Sequence, residues 1–349
     1  MNSNQPDVSP EPPPTNQPAG NTASPIPAKS EFSVSDIFLG REGLRAGWGI
    51  VLFLLLREAL RDCVYPILHA LFPSAFNEDS LIAPRSLFAP EGAGVLCVVI
   101  ATWAMAKFEQ RPVSVYGFTP HRSVRYFLSG LAWGVALLSL LVATLHATGL
   151  LVFDARLLFG GSALRYGLTW LAGFLLVGLL EELLLRGYLQ FTLTRGLSSI
   201  YRGLFGPSHA NGLGFWTAAI ILSAVFGLGH SSNPGESPLG LVAACLVGLV
   251  FCLSLWRTGS LWWAIGFHTA WDWAESFLYG VADSGLMVKG HLFATHAVGR
   301  PLLSGGLTGP EGSLYFLPVV LAGVAVVLLT LPRTHFGYTP AATPPPALH

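Results

Sequence analysis

One stretch of the chain combines an apolar length that spans a membrane with charges that a membrane disfavours. Residues 168–191 read LTWLAGFLLVGLLEELLLRGYLQF. Roughly 20 apolar residues in a helix, at about 1.5 Å each, cross a lipid bilayer. The second half of this run carries Glu181, Glu182 and Arg186. Because a charge within such a span is costly, these residues indicate a functional site or a structural pair.

Helical spacing separates the three charges. Glu182 and Arg186 are four residues apart with the acid first, which is the favourable order for an ion pair. Glu181 lies about 100° around the helix from Glu182 and about 140° from Arg186, so its carboxylate can meet another helix. The alternative is that all three residues form one structural charge network.

Composition places the whole chain in the same class. The 349 residues are 52% hydrophobic and only 11% charged. This excludes a soluble domain with a charged surface and is typical of a multi-pass membrane protein. The 19 basic and 19 acidic side chains cancel, so we expect no nucleic-acid partner. The expected partner is the lipid bilayer.

The apolar runs predict an all-α fold, a polytopic membrane protein of about eight transmembrane helices. The runs are 46–71, 89–106, 126–151, 168–191, 215–229, 239–256, 261–279 and 314–331. A Pro/Asn/Ser-rich segment, residues 1–34, predicts a disordered tail; residues 35–335 predict the membrane domain, and residues 336–349 a short disordered tail. Gly130 and Gly134 form a GxxxG pattern that predicts close helix packing.

The distribution of Lys and Arg predicts the orientation in the membrane. If the N-terminus is cytoplasmic, eleven of these residues lie in inner connections and five in outer ones. Cytoplasmic connections carry an excess of Lys and Arg. We therefore expect a multi-pass integral membrane protein with both termini in the cytoplasm.

The outer connection at 281–313 is rich in glycine and contains SGGLTGPEGS. Gly-rich loops can hold phosphate groups, but this one lacks the Gly-Lys-Ser/Thr ending of a phosphate-binding loop. We expect an irregular hairpin in this connection.

Polar residues return in two later apolar runs. FGLGH places Phe226 and His230 four residues apart. HTAWDWAE places His268, Asp272 and Glu275 at i, i+4 and i+7, which is one face of a regular helix. A single His in a membrane helix is more often a packing residue than a reactive one. A desolvated carboxylate with two such His partners, however, suits the activation of water and the stabilisation of an oxyanion.

The same residue types can bind a divalent metal such as Zn²⁺. The candidate ligands of a bound metal are Glu181, His230, His268 and Asp272. The chain contains neither HExxH nor HxxEH, so the common zinc-helix signatures do not support a metal. We therefore assign no certain cofactor.

Taken together, EELLLRGYLQ, FGLGH and HTAWD resemble the motifs EExxxR, FxxxH and HxxxN/D. These motifs mark the type II CAAX prenyl endopeptidase and bacteriocin-processing family, also called the Abi or CPBP family of intramembrane proteases. The resemblance covers a protease-like core at about 168–280, with the three motifs in order on separate apolar runs. It implies a glutamate-dependent endopeptidase, with or without a metal, in a bacterial cytoplasmic membrane. Its substrate would be a membrane-associated peptide or protein, such as a prenylated CAAX peptide.

The resemblance also implies roles for individual residues. Glu181 would activate water with assistance from His230, and His268 would stabilise the oxyanion together with Asp272. The supporting residues would be Glu182, Arg186 and Phe226. The prenyl-peptidase form of the family has Asn in place of Asp272, and an ionised Asp accepts hydrogen bonds but donates none. Asp272 can donate only if burial keeps it protonated; otherwise it can orient His268 or bind a cation.

Two other functions fit the same polar residues. In a non-catalytic membrane immunity or scaffold protein, they would only fix the packing of helices. In a proton-coupled transporter, buried Glu, His and Asp would form a proton relay, although no inverted repeat is visible in the sequence.

The predicted runs place the candidate side chains at different depths. Glu181 lies near the middle of its run, His230 near the outer end and His268 nearer the inner end. Tilted or broken helices are needed to bring them together. The enzyme hypothesis therefore requires that these three side chains share one cavity.

Overall fold

The computed structural model describes residues 33–40, 43–76 and 81–333. The predicted disordered tail 1–34 lies outside the described residues except for its last two, and the tail 336–349 lies outside them entirely. The described part of the chain is built of helices with two small antiparallel sheets.

The elements are numbered in chain order. The helices are α1 (Ser35–Phe38), α2 (Ala46–Leu71), α3 (Pro84–Phe108), α4 (Ser123–Ala147), α5 (Gly160–Glu181), α6 (Gln190–Phe205), α7 (Pro207–Gly229), α8 (Pro238–Thr258), α9 (Trp262–Trp273), α10 (Pro301–Ser304) and α11 (Phe316–Thr330). The strands are β1 (Leu39–Gly40), β2 (Gly43–Leu44), β3 (Leu151–Arg156) and β4 (Phe293–Ala297). Two further segments are π-helical. Glu182–Leu189 joins α5 to α6, and Ala274–Tyr279 continues α9.

The predicted all-α class is confirmed, since 75% of the residues that the structure describes are helical. Each of the eight predicted apolar runs contains a helix, of which α9 with 12 residues and α11 with 15 are the shortest. Among the described residues, five helical segments are long and apolar enough to cross a membrane. These five are Pro84–Phe108, Ser123–Ala147, Gly160–Phe205, Pro207–Ser232 and Pro238–Thr258.

Local sequence signals explain where several helices begin and end. Proline occupies the first position of α3, α7 and α8, where its missing N–H would have no helical partner. At the start of α8 the Ser237 hydroxyl also accepts the Gly240 N–H at 3.1 Å, which is a typical N-cap. The same helix ends at Gly259, whose φ of 64° only glycine adopts readily.

The predicted close packing at the GxxxG pattern is confirmed, and the partner is α9. A Cβ atom on Gly130 would lie 2.2 Å from the carbonyl oxygen of Trp263, and one on Gly134 would lie 2.5 Å from that of Phe267. On the opposite helix, a Cβ atom on Gly266 would lie 2.2 Å from the carbonyl oxygen of Phe127. The backbones of α4 and α9 therefore touch, and this contact positions α9.

We expect the substitution Gly130→Val to destabilise the protein by about 1–3 kcal/mol or more, as overpacking does. The reason is that the blocking group is a backbone carbonyl, which cannot rotate away. Denaturant-induced unfolding of the purified protein in detergent measures the effect. Gly212→Val in α7 is the matched control, because nothing lies within 4 Å of its Cβ position. Equal stability of the two variants would contradict the assigned contact.

The Gly-rich connection 281–313 is not the irregular hairpin that its sequence predicts. Its strand β4 pairs with β3, in the connection between α4 and α5, with Leu151 opposite Ala297 and Arg156 opposite Phe293. The partner strand lies far away in sequence, so no local turn signal could identify it. The pairing holds the connection across one end of the helices, next to the candidate site.

Candidate active site

Five helices and the connection 281–313 enclose a cavity of about 440 Å³. The helices are α3, α5, α7, α8 and α9. The side chains of Glu181, His230, His268 and Asp272 all line this cavity. The structure thus brings together four side chains that the sequence placed on three helices at different depths.

The first motif lies where the long helical rod Gly160–Phe205 changes its winding. Glu181 is the last residue of α5, and the π-helical segment Glu182–Leu189 follows at once. Such π turns recur at functional sites because the wider winding redirects side chains. The two adjacent glutamates have different surroundings, since the side chain of Glu181 is 31% exposed and that of Glu182 is fully buried.

The predicted ion pair between Glu182 and Arg186 is confirmed. Oε1 of Glu182 accepts a hydrogen bond from Nη1 of Arg186 at 2.9 Å. The same oxygen also accepts from Nδ1 of His268 at 3.2 Å, a contact that the sequence did not predict. Because a carboxylate only accepts, Nδ1 of His268 carries the hydrogen. Glu182 therefore links α9 to the first motif.

Two aromatic rings complete the surroundings of Arg186. Its guanidinium lies 4.3 Å from the ring centre of Phe226 and 5.5 Å from that of Phe251, within the range of cation–π attraction. Phe226 also contacts both histidines, with ring centres 5.0 Å from His230 and 6.0 Å from His268. Phe226 therefore packs at the centre of the three motifs.

His268 lies between the carboxylates of two helices. Its Nε2 is 3.6 Å from Oε2 of Glu181 and 3.5 Å from Oδ2 of Asp272. Both distances are within ion-pair range but longer than a good hydrogen bond. The imidazole also stacks on Phe251, with ring centres 5.5 Å apart. The Nδ1 contact and this stacking hold the ring in one orientation, with Nε2 facing Glu181 and Asp272.

His230 follows the last residue of α7 and enters the cavity from the other side of Phe226. Its Nδ1 lies 2.9 Å from the carbonyl oxygen of Phe226. A carbonyl only accepts, so Nδ1 carries the hydrogen and Nε2 of the neutral ring is an acceptor. The backbone contact therefore fixes the tautomer that can accept a proton from water.

Sequence reasoning missed three further acids of the cavity wall: Glu91 in α3 and Asp283 and Glu311 in the connection 281–313. Oε1 of Glu311 accepts from Nε1 of Trp271 at 2.7 Å. Burial raises the pKa of the Asp283 carboxyl to about 6, although the nearby histidines lower it. Burial, with repulsion from Asp283, raises the pKa of Glu311 to about 7. The only sequence signal for Asp283 and Glu311 was their position in a Gly-rich connection.

The expectation that Glu275 shares a face with His268 and Asp272 is wrong. Glu275 lies in the π-helical segment Ala274–Tyr279 that continues α9, and it does not line the cavity. A π turn holds more residues than an α turn, so the regular i+7 relation fails at this point. Glu275 faces the connection 281–313 instead.

The residues predicted as metal ligands do not fit a zinc site as the structure arranges them. Zinc ligands lie about 2.0–2.3 Å from the metal, so the donor atoms must lie close to one another. Among the described residues, the only acidic, His or Cys group whose donor atoms lie within 4.8 Å of one another is Glu275, Asp283 and Glu311. In addition, Nδ1 of His268 is occupied by Glu182. No catalytic step is therefore assigned to a metal.

Comparison with known proteins agrees with the predicted resemblance. Residues 163–274 match the family described as Type II CAAX prenyl endopeptidase Rce1-like, and the matched segment contains all three motifs. No curated protein and no solved structure matches the chain. With its long apolar helices, the chain is an integral membrane protein. The match supports the family that the three motifs predict, and the Rce1-like proteins are a family of proteases.

Proposed function

We propose that this protein is an intramembrane endopeptidase that hydrolyses a peptide bond of a membrane-associated peptide or protein. The observation that carries the proposal is the shared cavity, which Glu181, His230, His268 and Asp272 all line. The family match supports a protease. An orientation with both termini in the cytoplasm, in a bacterial cytoplasmic membrane, is part of the proposal, and its support is the excess of Lys and Arg in inner connections.

Glu181 is the general base of this mechanism. The exposed part of its carboxylate meets a water molecule in the cavity and takes one proton from it. The oxygen of that water forms a bond to the peptide carbonyl carbon, and an electron pair of the C=O bond moves to its oxygen. When the C–N bond breaks, the proton passes from Glu181 to the leaving nitrogen. General acid–base groups contribute about 10²–10⁴-fold to the rate.

His268 is the donor to the oxyanion. As an imidazolium it donates from both nitrogens, with Nδ1–H directed to Glu182 and Nε2–H available to the substrate oxygen. One such donor is worth about 10²–10³-fold in kcat. Asp272 lies 3.5 Å from the same Nε2. At this distance its charge orients and stabilises the imidazolium without taking the Nε2 hydrogen, which is one of the roles open to Asp where the prenyl-peptidase form has Asn.

The apolar wall of the cavity supports a lipid-modified substrate. Its apolar residues include Phe174, Val177, Val225 and Val247, and burying an isoprenoid against such side chains is favourable by about 25 cal/mol per Å². We therefore propose a prenylated CAAX peptide as the substrate.

The test is incubation of the purified protein in lipid nanodiscs with a farnesylated CAAX peptide and the same peptide without the farnesyl group. Mass spectrometry identifies the cleaved bond. We expect faster cleavage of the farnesylated peptide. Cleavage of both at equal rates would contradict the proposed substrate but not the protease, whereas no cleavage of either peptide or of a mixed peptide library would contradict the protease.

We expect His230→Gln to lower kcat by about 10²-fold, the lower end of the range for acid–base groups, since His230 orients the water. The control is His209→Gln at the start of α7, where the imidazole is exposed beside Ser208. Steady-state kinetics on the cleaved peptide separate kcat from KM. A kcat of His230→Gln equal to that of the control would remove His230 from the mechanism.

A further inference from the structure

Three carboxyl groups outside the proposed catalytic residues meet at the wall of the cavity. One oxygen of each of Glu275, Asp283 and Glu311 lies within 4.8 Å of the corresponding oxygens of the other two. Glu275 comes from the π-helical segment after α9, and the other two come from separate parts of the connection 281–313. The cluster therefore joins a membrane helix to the connection that closes one end of the cavity.

Glu275 provides a second and independent observation. Its side chain is fully buried, and neither of its carboxylate oxygens has a hydrogen-bond partner at normal geometry, because the nearby Trp271 donates to Glu311 instead. Burying an ionised carboxylate without a partner is strongly unfavourable. Because one of these oxygens is directed at the other two acids, repulsion adds to that cost. A positive charge among the three groups would remove both penalties.

The other two acids have only some of their acceptor sites occupied. Glu311 accepts from Trp271 at 2.7 Å and from Ser284 at 3.0 Å, and Asp283 accepts from Ser276 at 3.3 Å. An ionised carboxylate has about four acceptor sites. These hydrogen bonds therefore orient the carboxylates and leave lone pairs for a further ligand.

The chemistry of the donors selects the class of ligand. All three donors are carboxylate oxygens, which are the ligands that hard cations such as Ca²⁺, Mg²⁺ and Mn²⁺ prefer. Zn²⁺ sites are built mainly from the softer N and S ligands. Ca²⁺ binds oxygens at about 2.3–2.6 Å in flexible geometry, so two of its ligands lie at most about 5 Å apart. The 4.8 Å limit on the separations in this cluster fits that range.

We propose that Glu275, Asp283 and Glu311 bind a divalent cation that prefers oxygen ligands, Ca²⁺ first among them. The cation links the π-helical segment after α9 to two points of the connection 281–313. Since Asp283 and Glu311 also line the cavity, the cation braces its wall. The site is separate from the proposed catalytic residues, and its existence does not depend on the proposed protease activity.

The experiment is titration of the purified full-length protein in detergent, stripped with EDTA, with CaCl₂, MgCl₂ or MnCl₂. Calorimetry reports binding, the melting temperature reports stabilisation, and electron paramagnetic resonance reports bound Mn²⁺. We expect one cation per chain and a melting temperature that rises with Ca²⁺ concentration, because a ligand that binds only the folded state stabilises it. The absence of binding up to millimolar Ca²⁺ and Mn²⁺ would overturn the proposal.

The variant Glu275→Gln distinguishes ligation from a general effect of charge. We expect it to melt at a higher temperature than the wild type in EDTA, since a repelling buried acid is gone, and to bind Ca²⁺ at least about tenfold more weakly. The matched control is Glu236→Gln, which removes a nearby negative charge outside the cluster. Equal Ca²⁺ affinity in Glu275→Gln and the wild type, or an equal loss in both variants, would overturn the proposal.

Discussion

Replacing Glu181 by Gln is expected to lower kcat for peptide cleavage by about 10²–10⁴-fold, the contribution of a general base. Gln has nearly the same shape but cannot take a proton from water. The side chain is 31% exposed and Oε2 has no hydrogen-bond partner, so the substitution breaks no hydrogen bond at that atom. The fold should therefore persist. Cleavage of the farnesylated peptide in nanodiscs and the unfolding midpoint in detergent are the two measurements.

The matched control for this prediction is Glu58→Gln. Glu58 is also a glutamate within a long helix, but it lies on α2 and pairs with Arg57 and Arg61, away from the cavity. We expect it to retain the wild-type kcat. If Glu181→Gln cleaves the peptide as fast as this control, Glu181 is not the base, and the water must be activated by another group.

The second large expected effect is that of an Arg186 substitution on the free energy of unfolding. We expect Arg186→Ala to destabilise the protein by about 3–5 kcal/mol, because it leaves the carboxylate of Glu182 buried without its ion-pair partner. Both side chains of the pair are fully buried. The substitution also removes the cation from between Phe226 and Phe251. The measurement is the free energy of unfolding in mixed micelles with increasing denaturing detergent.

A double variant separates the ion pair from the cavity that Ala leaves. In Glu182→Gln with Arg186→Met, no charge is left unpaired and most of the volume is kept, so we expect it to be more stable than Arg186→Ala alone. The effects of two residues in contact are not additive. Because Gln at position 182 still accepts from His268, the double variant should keep measurable cleavage. A double variant as unstable as the sum of its single variants would contradict the assigned pair.

The sequence by itself was sufficient for the features that depend on near neighbours in the chain. Apolar runs predicted the helical membrane fold, because a helix in a membrane must satisfy its own backbone and cover itself with apolar side chains. The spacing of Glu182 and Arg186 predicted their ion pair, since four residues make about one turn. Gly130 and Gly134 predicted a close helix contact. The three motifs predicted the family that residues 163–274 match.

Only the tertiary structure decided how these parts meet. The contact of His268 with Glu182 joins residues 86 positions apart, and no periodicity encodes such a pair. Asp283 and Glu311 reach the cavity because their connection is held by a strand pairing with a distant segment. Glu275 turns from the predicted face because the winding changes after α9. Local preference sets where helices form, but packing between distant segments sets which polar groups share one buried space.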